Sequence, residues 1–224
     1  MASSLPPAPR VPPGTVREIG PLNTAVAGLI GLAAGTGPPH LFTTLARHRR
    51  LYRKWLRFAA ALMPGGVLPR RDSELVILRV AHNCRCDYEW THHRRLARRA
   101  GLTREQIDRI GCASPGAGWP PRQAALLSAV DELHEHRRLS DPVWHRLAAE
   151  LTEPELIELP MLAGHYEMLA MTLNSLRVQP DRTAAPVRTI ERTAKALTRA
   201  GRRLRRAAGE TGETGEAGER GHGR

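Results

Sequence analysis

The chain has 224 residues, 24.7 kDa, 41% hydrophobic and 25% charged residues, three cysteines and a formal net charge of +12. That is enough apolar sequence for one packed core, and so few cysteines exclude a disulfide-stapled secreted scaffold. All but two of the 34 basic residues (Lys54 and Lys195) are arginine, a bias of base composition as much as of function, so the charge alone does not specify nucleic-acid binding.

Residues 1–20 read as a Pro-rich arm with no apolar stretch of the kind a signal peptide needs. Leu22 to Ala34 is the most apolar early segment, closed by the breaker Gly35 to Pro39. It falls short of the roughly 20 residues of a membrane span. A cytoplasmic protein with no membrane span is the expectation.

Residues 21–180 punctuate themselves into helices. His40 to Met63 carries a helical apolar stripe and stops at Pro64-Gly65-Gly66. Glu74 to His82 is almost continuously apolar, which fits a buried helix, with a strand as the competing reading. Asp72 or Ser73 can cap its start, and it should break near Asn83.

Thr103-Arg104-Glu105-Gln106 and Thr152-Glu153-Pro154-Glu155 are capping boxes. Pro121 to His136 reads as a helix, and Asp141-Pro142 opens another as cap and first position. Glu155 to Leu176 is long, and Pro160 predicts a kink or a split. With no hairpin signal, the fold class is all-α. Residues 181–224 form a separate extension with 11 basic and 6 acidic residues. It combines a basic amphipathic stripe from Val187 to Leu204 with a low-complexity tail.

The chemistry concentrates in residues 74–101. Glu74 precedes Cys84, Arg85, Cys86, Tyr88, Glu89, His92 and His93. A second helix should begin near Asn83, with Asp87 in its first turn, and on it Cys86, Glu89 and His93 share one face. A thiol at a helix N-terminus is drawn towards thiolate, and a carboxylate one turn from an imidazole makes an acid–base pair. Tyr88 and His92 point elsewhere, towards a neighbouring subunit or a pocket mouth. Zinc is weighed for His82, Cys84, Cys86, His92 and His93, but the spacing matches no closed Cys/His site. His134 reads as part of a solvated helix end and Cys112 as a lone thiol.

Glu74 followed twelve residues later by Cys86-Asp87-Tyr88-Glu89-Trp90-Thr91-His92-His93 resembles the carboxymuconolactone decarboxylase family, within the alkyl hydroperoxidase D-like superfamily. Leu159 to Gln179 is similar to the family's closing Gly-His-Tyr helix. The resemblance implies a helical domain working as a trimer or hexamer, without metal or organic cofactor, with Glu74, Cys86, Glu89 and His93 as catalytic residues. Glu89 stands where the redox branch has a second cysteine, so a dithiol peroxidase lacks its resolving thiol.

A decarboxylase or lactone-processing enzyme is the leading expectation. Its substrate is a small carboxylate or lactone, with His93 as proton donor, Glu89 as partner and Glu74 as orienter. Arg85, Tyr88, His165 and Tyr166 are the expected substrate-binding residues. The alternatives are peroxide reduction through Cys86, and a non-catalytic oligomer that binds an acidic partner through its basic extension. Nucleic acid is not an expected partner.

Overall fold

The computed structural model describes residues 8–112 and 118–181. Among the described residues there are ten helices and no strand. They are α1 (Val16–Ile19), α2 (Pro21–Ala34), α3 (His40–Leu45), α4 (Arg49–Leu62), α5 (Arg70–Asn83), α6 (Asp87–Arg99), α7 (Arg104–Ile110), α8 (Pro121–His136), α9 (Asp141–Ala148) and α10 (Glu153–Leu176). The all-α expectation holds, and the strand reading of Glu74 to His82 is excluded. None of these helices is long and apolar enough to cross a membrane.

Helix α5 is the hub. Every residue from Asp72 to Ala81 is buried, because α6, α7, α8 and α10 pack around it. Its central run Leu75 to Leu78 is apolar on every side, and such a run can only lie in an interior. Leu75, Ile77 and Leu78 are fully buried there, each contributing about 1.5–3 kcal/mol of hydrophobic stabilisation. A smaller cluster joins Ile19 of α1 to Ala46 and Tyr52. The N-terminal segment lies along the same body, with the Arg10 amide donating to Leu176 O and the Gly14 amide to Thr43 O.

Several boundaries differ from the sequence pattern. The helix expected from His40 to Met63 is divided at Ala46 to His48, where the His48 ring accepts from the Leu51 amide and caps α4. The buried helix begins at Arg70, behind Pro69. Asp72 therefore sits inside its first turn and bonds Arg122 at 2.7 Å instead of capping. Ser140, not Asp141, occupies the cap position of α9.

Pro160 neither splits α10 nor ends it. Proline removes one intrahelical bond, while Leu159, Leu162 and Ala163 beside it stay buried in the core. Both capping boxes form. The loop before α5 is tied by Glu158, whose carboxylate accepts from the amides of Val67 and Leu68. Gly66 makes that approach possible, since a Cβ there would lie 2.3 Å from the Glu158 carboxylate. The basic stripe and low-complexity tail expected beyond Asp181 lie outside the described residues.

Candidate active site

The turn from α5 to α6 is short and fully bonded. The Cys86 amide donates to Ala81 O and the Arg85 amide to His82 O, closing α5 with a Schellman motif. Arg85 takes the left-handed position of that motif, with φ +51°. Cys86 then caps α6. This delivers Glu89, His92, His93 and Leu96, one helical face of α6, into a cavity of about 430 Å³. The other walls come from α2, α3, α4 and α10, and are mostly apolar: Phe42, Trp55, Leu56, Met63 and Leu169 contribute.

Glu74 reaches this face from within α5. Its side chain is fully buried, with Oε2 2.8 Å from His93 Nδ1 and Oε1 2.8 Å from the Arg70 guanidinium. An ionised carboxylate only accepts, so the proton on Nδ1 points to Glu74 and Nε2 is left for other partners. Arg70 itself lines the cavity.

Glu89 is the opposite case. It is 3% exposed, and neither carboxylate oxygen has a hydrogen-bond partner. Burial raises its pKa to about 8, against a small lowering influence from the Cys86 thiol. Glu89 is therefore predominantly a neutral acid at pH 7. Cys86 does not become the thiolate expected of a helix N-terminus. Burial, then the Glu89 carboxyl group, push its thiol up to about 12, with the Glu89 amide offsetting only part of this.

Two aromatic residues of α10 complete the wall. Tyr166 stands edge-on to His93, with ring centroids 5.1 Å apart, and burial raises its hydroxyl pKa. His165 accepts a hydrogen bond at Nε2 from Trp55 Nε1 at 2.9 Å. Burial lowers its pKa to about 4, so the ring is neutral.

Tyr88 and His92, expected at a neighbouring subunit or a pocket mouth, line this same cavity. The Tyr88 hydroxyl donates to Asp181 Oδ2 and accepts from the Leu41 amide. His92 is held uncharged, its pKa lowered to about 3 by burial and then by His93.

The fold thus brings together Glu74, Glu89, His93, Tyr88, His165 and Tyr166. Cys86 lies at the base of the Glu89 turn and borders a second, open cavity. Arg85 lines that second cavity and not the first. Sequence reasoning passed over Arg70, Trp55 and the placement of His92. Arg70 lies four residues before Glu74, a spacing that does signal an ion pair on a helix. Trp55 is 110 residues from His165 and leaves no local signal.

The Carboxymuconolactone decarboxylase family matches residues 49–131, from the start of α4 into α8, a span that includes Glu74, Cys86, Glu89 and His93. No curated protein matches the chain.

Solved structures share the fold around this family segment. An uncharacterized peroxidase-related protein from Silicibacter sp. TM1040 aligns with TM-score 0.67 and 13% identity, over 80% of this chain and 95% of that one. An uncharacterized peroxidase-related protein from Ralstonia eutropha JMP134, described as an alkylhydroperoxidase AhpD core, gives 0.65 and 18%, over 76% and 92%. The debrominase Bmp8 gives 0.65 and 13%, over 77% and 92%. At these identities the likeness is one of fold.

Proposed function

We propose that the protein is an acid–base enzyme that decarboxylates or isomerises a small cyclic carboxylate or lactone in the α6 cavity. The observation carrying this reading is the buried Glu74–His93 pair next to Glu89, a carboxyl group kept protonated up to about pH 8. A group that must donate a proton near neutrality needs a pKa in that range.

In this reading Arg70 receives the substrate carboxylate at the cavity wall, a role the sequence had suggested for Arg85. Tyr88 and neutral His165 contact the ring oxygens. Loss of CO2 leaves the bonding electron pair on the substrate as a dienolate. The Glu89 hydroxyl gives its proton to the dienolate carbon, which becomes the new C–H bond, and Glu89 is left as carboxylate. His93, oriented by Glu74, restores that proton from solvent. This assigns the donor role to Glu89 and makes His93 the relay.

The test is CO2 release from 4-carboxymuconolactone, and proton exchange with solvent in related lactones, for the wild type and for Glu89→Gln and His93→Ala. Turnover lost in both variants supports the assignment. Turnover unchanged in Glu89→Gln sinks it.

Peroxide reduction through Cys86 receives less support. The thiolate is the reactive form, and the surroundings of Cys86 oppose it, while Cys84 is likewise raised to about 11 by burial. We further propose that the cavity works within a homo-oligomer. Leu22, Leu29 and Leu32 are 69%, 68% and 67% exposed on α2, the helix whose Ile30 lines the cavity. A single-subunit mass by light scattering would contradict that.

A further inference from the structure

A second group of chemistry-bearing side chains converges on the other side of the α5–α6 turn. Cys84 ends α5, His134 lies in the last turn of α8 and Glu167 lies on α10. Their donor atoms all fall within 4.8 Å of one another, and all three residues are half-buried. His134 Nδ1 is 2.7 Å from Glu167 Oε1 and 3.9 Å from Cys84 Sγ. The other oxygen of Glu167 is held by Arg137 at 2.8 Å, which leaves Oε1 facing the ring and the thiol.

We propose that Cys84, His134 and Glu167 form a site for one divalent transition-metal ion of the zinc class, with water as the fourth ligand. Sulfur, imidazole nitrogen and a carboxylate oxygen are the ligand types that zinc prefers. Bonds of about 2.0–2.3 Å set tetrahedral donors about 3.3–3.6 Å apart, and the two distances measured from the ring nitrogen bracket that spacing.

An ordinary hydrogen-bonded pair explains less. An imidazole–carboxylate pair accounts for two of the atoms, and the Cys84 sulfur is a third ligand atom gathered at the same place. With the thiol ionised, sulfur and carboxylate carry two negative charges against the one positive charge of Arg137, so the site has a net negative charge that favours a cation. His134 also borders the open cavity of about 670 Å³ shared with His82, Cys86 and Asp87, a route for the ion and its water.

The position gives the ion a structural task. Cys84 is two residues ahead of Cys86 in the turn that aims α6. Binding Cys84 to α8 and α10 braces that turn from outside the acid–base cavity, and the inference stands whether or not the proposed reaction is right. Thiolate is the ligand form, so metal binding releases the Cys84 proton.

The test uses the full-length chain, stripped with a chelator and titrated with Co²⁺ and then Zn²⁺. One equivalent of Co²⁺ should produce thiolate-to-cobalt charge-transfer absorption in the near ultraviolet, and Zn²⁺ should abolish it by displacement. Cys84→Ser should remove the band, and Cys112→Ser, at an exposed thiol, should leave it intact. His134→Ala and Glu167→Gln should each weaken Zn²⁺ binding by more than about tenfold, the scale set by outer-shell losses. Zn²⁺ should raise the thermal midpoint of the wild type in a concentration-dependent way, and not that of Cys84→Ser.

Circular dichroism checks that each variant is folded, and the near-isosteric Glu167→Gln stands in if His134→Ala is not. Absence of the band, its persistence in Cys84→Ser, or unchanged Zn²⁺ affinity in the folded His134 and Glu167 variants overturns the proposal.

Discussion

Helix α5 supports two polar clusters, and they are finished differently. Towards α7 and α8, the Arg79 guanidinium makes a two-pronged contact with Asp131 and donates to the carbonyls of Ile110 and Cys112. Asn83 adds a further bond to Asp131. Towards α6, both Glu89 oxygens and the Nδ1 atoms of His92 and His165 are buried without hydrogen-bond partners. A network that only holds helices together satisfies its donors and acceptors, because each one left unpaired costs stability. Polar atoms left open around a cavity are what a substrate can pair, and perturbed carboxylates gather at such places.

The most severe test of this contrast is Glu89→Gln, which should lower activity and raise stability together. Loss of an acid–base group costs turnover about 10²- to 10⁴-fold. Glu89 has a folded pKa of about 8 against an ordinary 4.5, so the folded state binds its proton more tightly than the unfolded chain. The stability this contributes is fully present below pH 4.5 and is lost as pH rises through 8. The variant lacks that loss, and above pH 8 it should exceed the wild type by a few kcal/mol. Urea unfolding at acidic and alkaline pH measures the divergence; parallel curves would show that Glu89 is not held neutral by the fold.

Asp131→Ala should do the reverse. It takes the carboxylate from the Arg79 guanidinium, which is 2% exposed and keeps its carbonyl acceptors, and removing one partner of a buried pair costs about 3–5 kcal/mol. Asp131 is 34% exposed in its side chain, which places the expected loss at the lower end, about 3 kcal/mol. The turnover number of the folded fraction should stay near wild type. A matching fall in turnover would erase the distinction between the two clusters.

The same contrast separates what was legible in the sequence from what was not. The continuous apolar run of α5 and the one-turn spacing of Glu89 and His93 are local patterns, so the central helix and the shared cavity of those two side chains could be read directly, while Cys86 borders the other cavity. Arg122 taking Asp72 out of its capping role, and Trp55 meeting His165, are pairings across 50 and 110 residues. No local pattern encodes them. The ionisation of Cys86 is not legible from the helix dipole, which reflects only the helix itself. The dominant effect, burial beside Glu89, depends on what packs around the turn. Arg85, an expected substrate-binding residue, takes the left-handed position of the turn and lines the other cavity.

If Glu89 is the only acid that must stay protonated, turnover should fall about tenfold for each pH unit above 8. His92, lowered to about 3, and His165, lowered to about 4, add no limb near neutrality. A pH profile of kcat for the wild type should show the alkaline descent, and the residual activity of Glu89→Gln should not. A descent that survives the substitution assigns the limb to another group.

The smallest effect comes from a bond that belongs to both kinds of cluster. Trp55 Nε1 satisfies His165 Nε2 at 2.9 Å, while His165 Nδ1 stays unpaired at the cavity. Trp55→Phe keeps an aromatic ring but removes the donor, leaving a second buried nitrogen without a partner, at a cost of about 1 kcal/mol. Because His165 makes no hydrogen bond to the Glu74–His93 pair, the freed ring should orient substrate less well without altering proton delivery. KM should rise severalfold with kcat nearly unchanged, the pattern of a lost interaction made equally in ground and transition states. A fall in kcat with constant KM would instead place His165 among the groups that act on the transition state, and would extend the acid–base face from α6 onto α10.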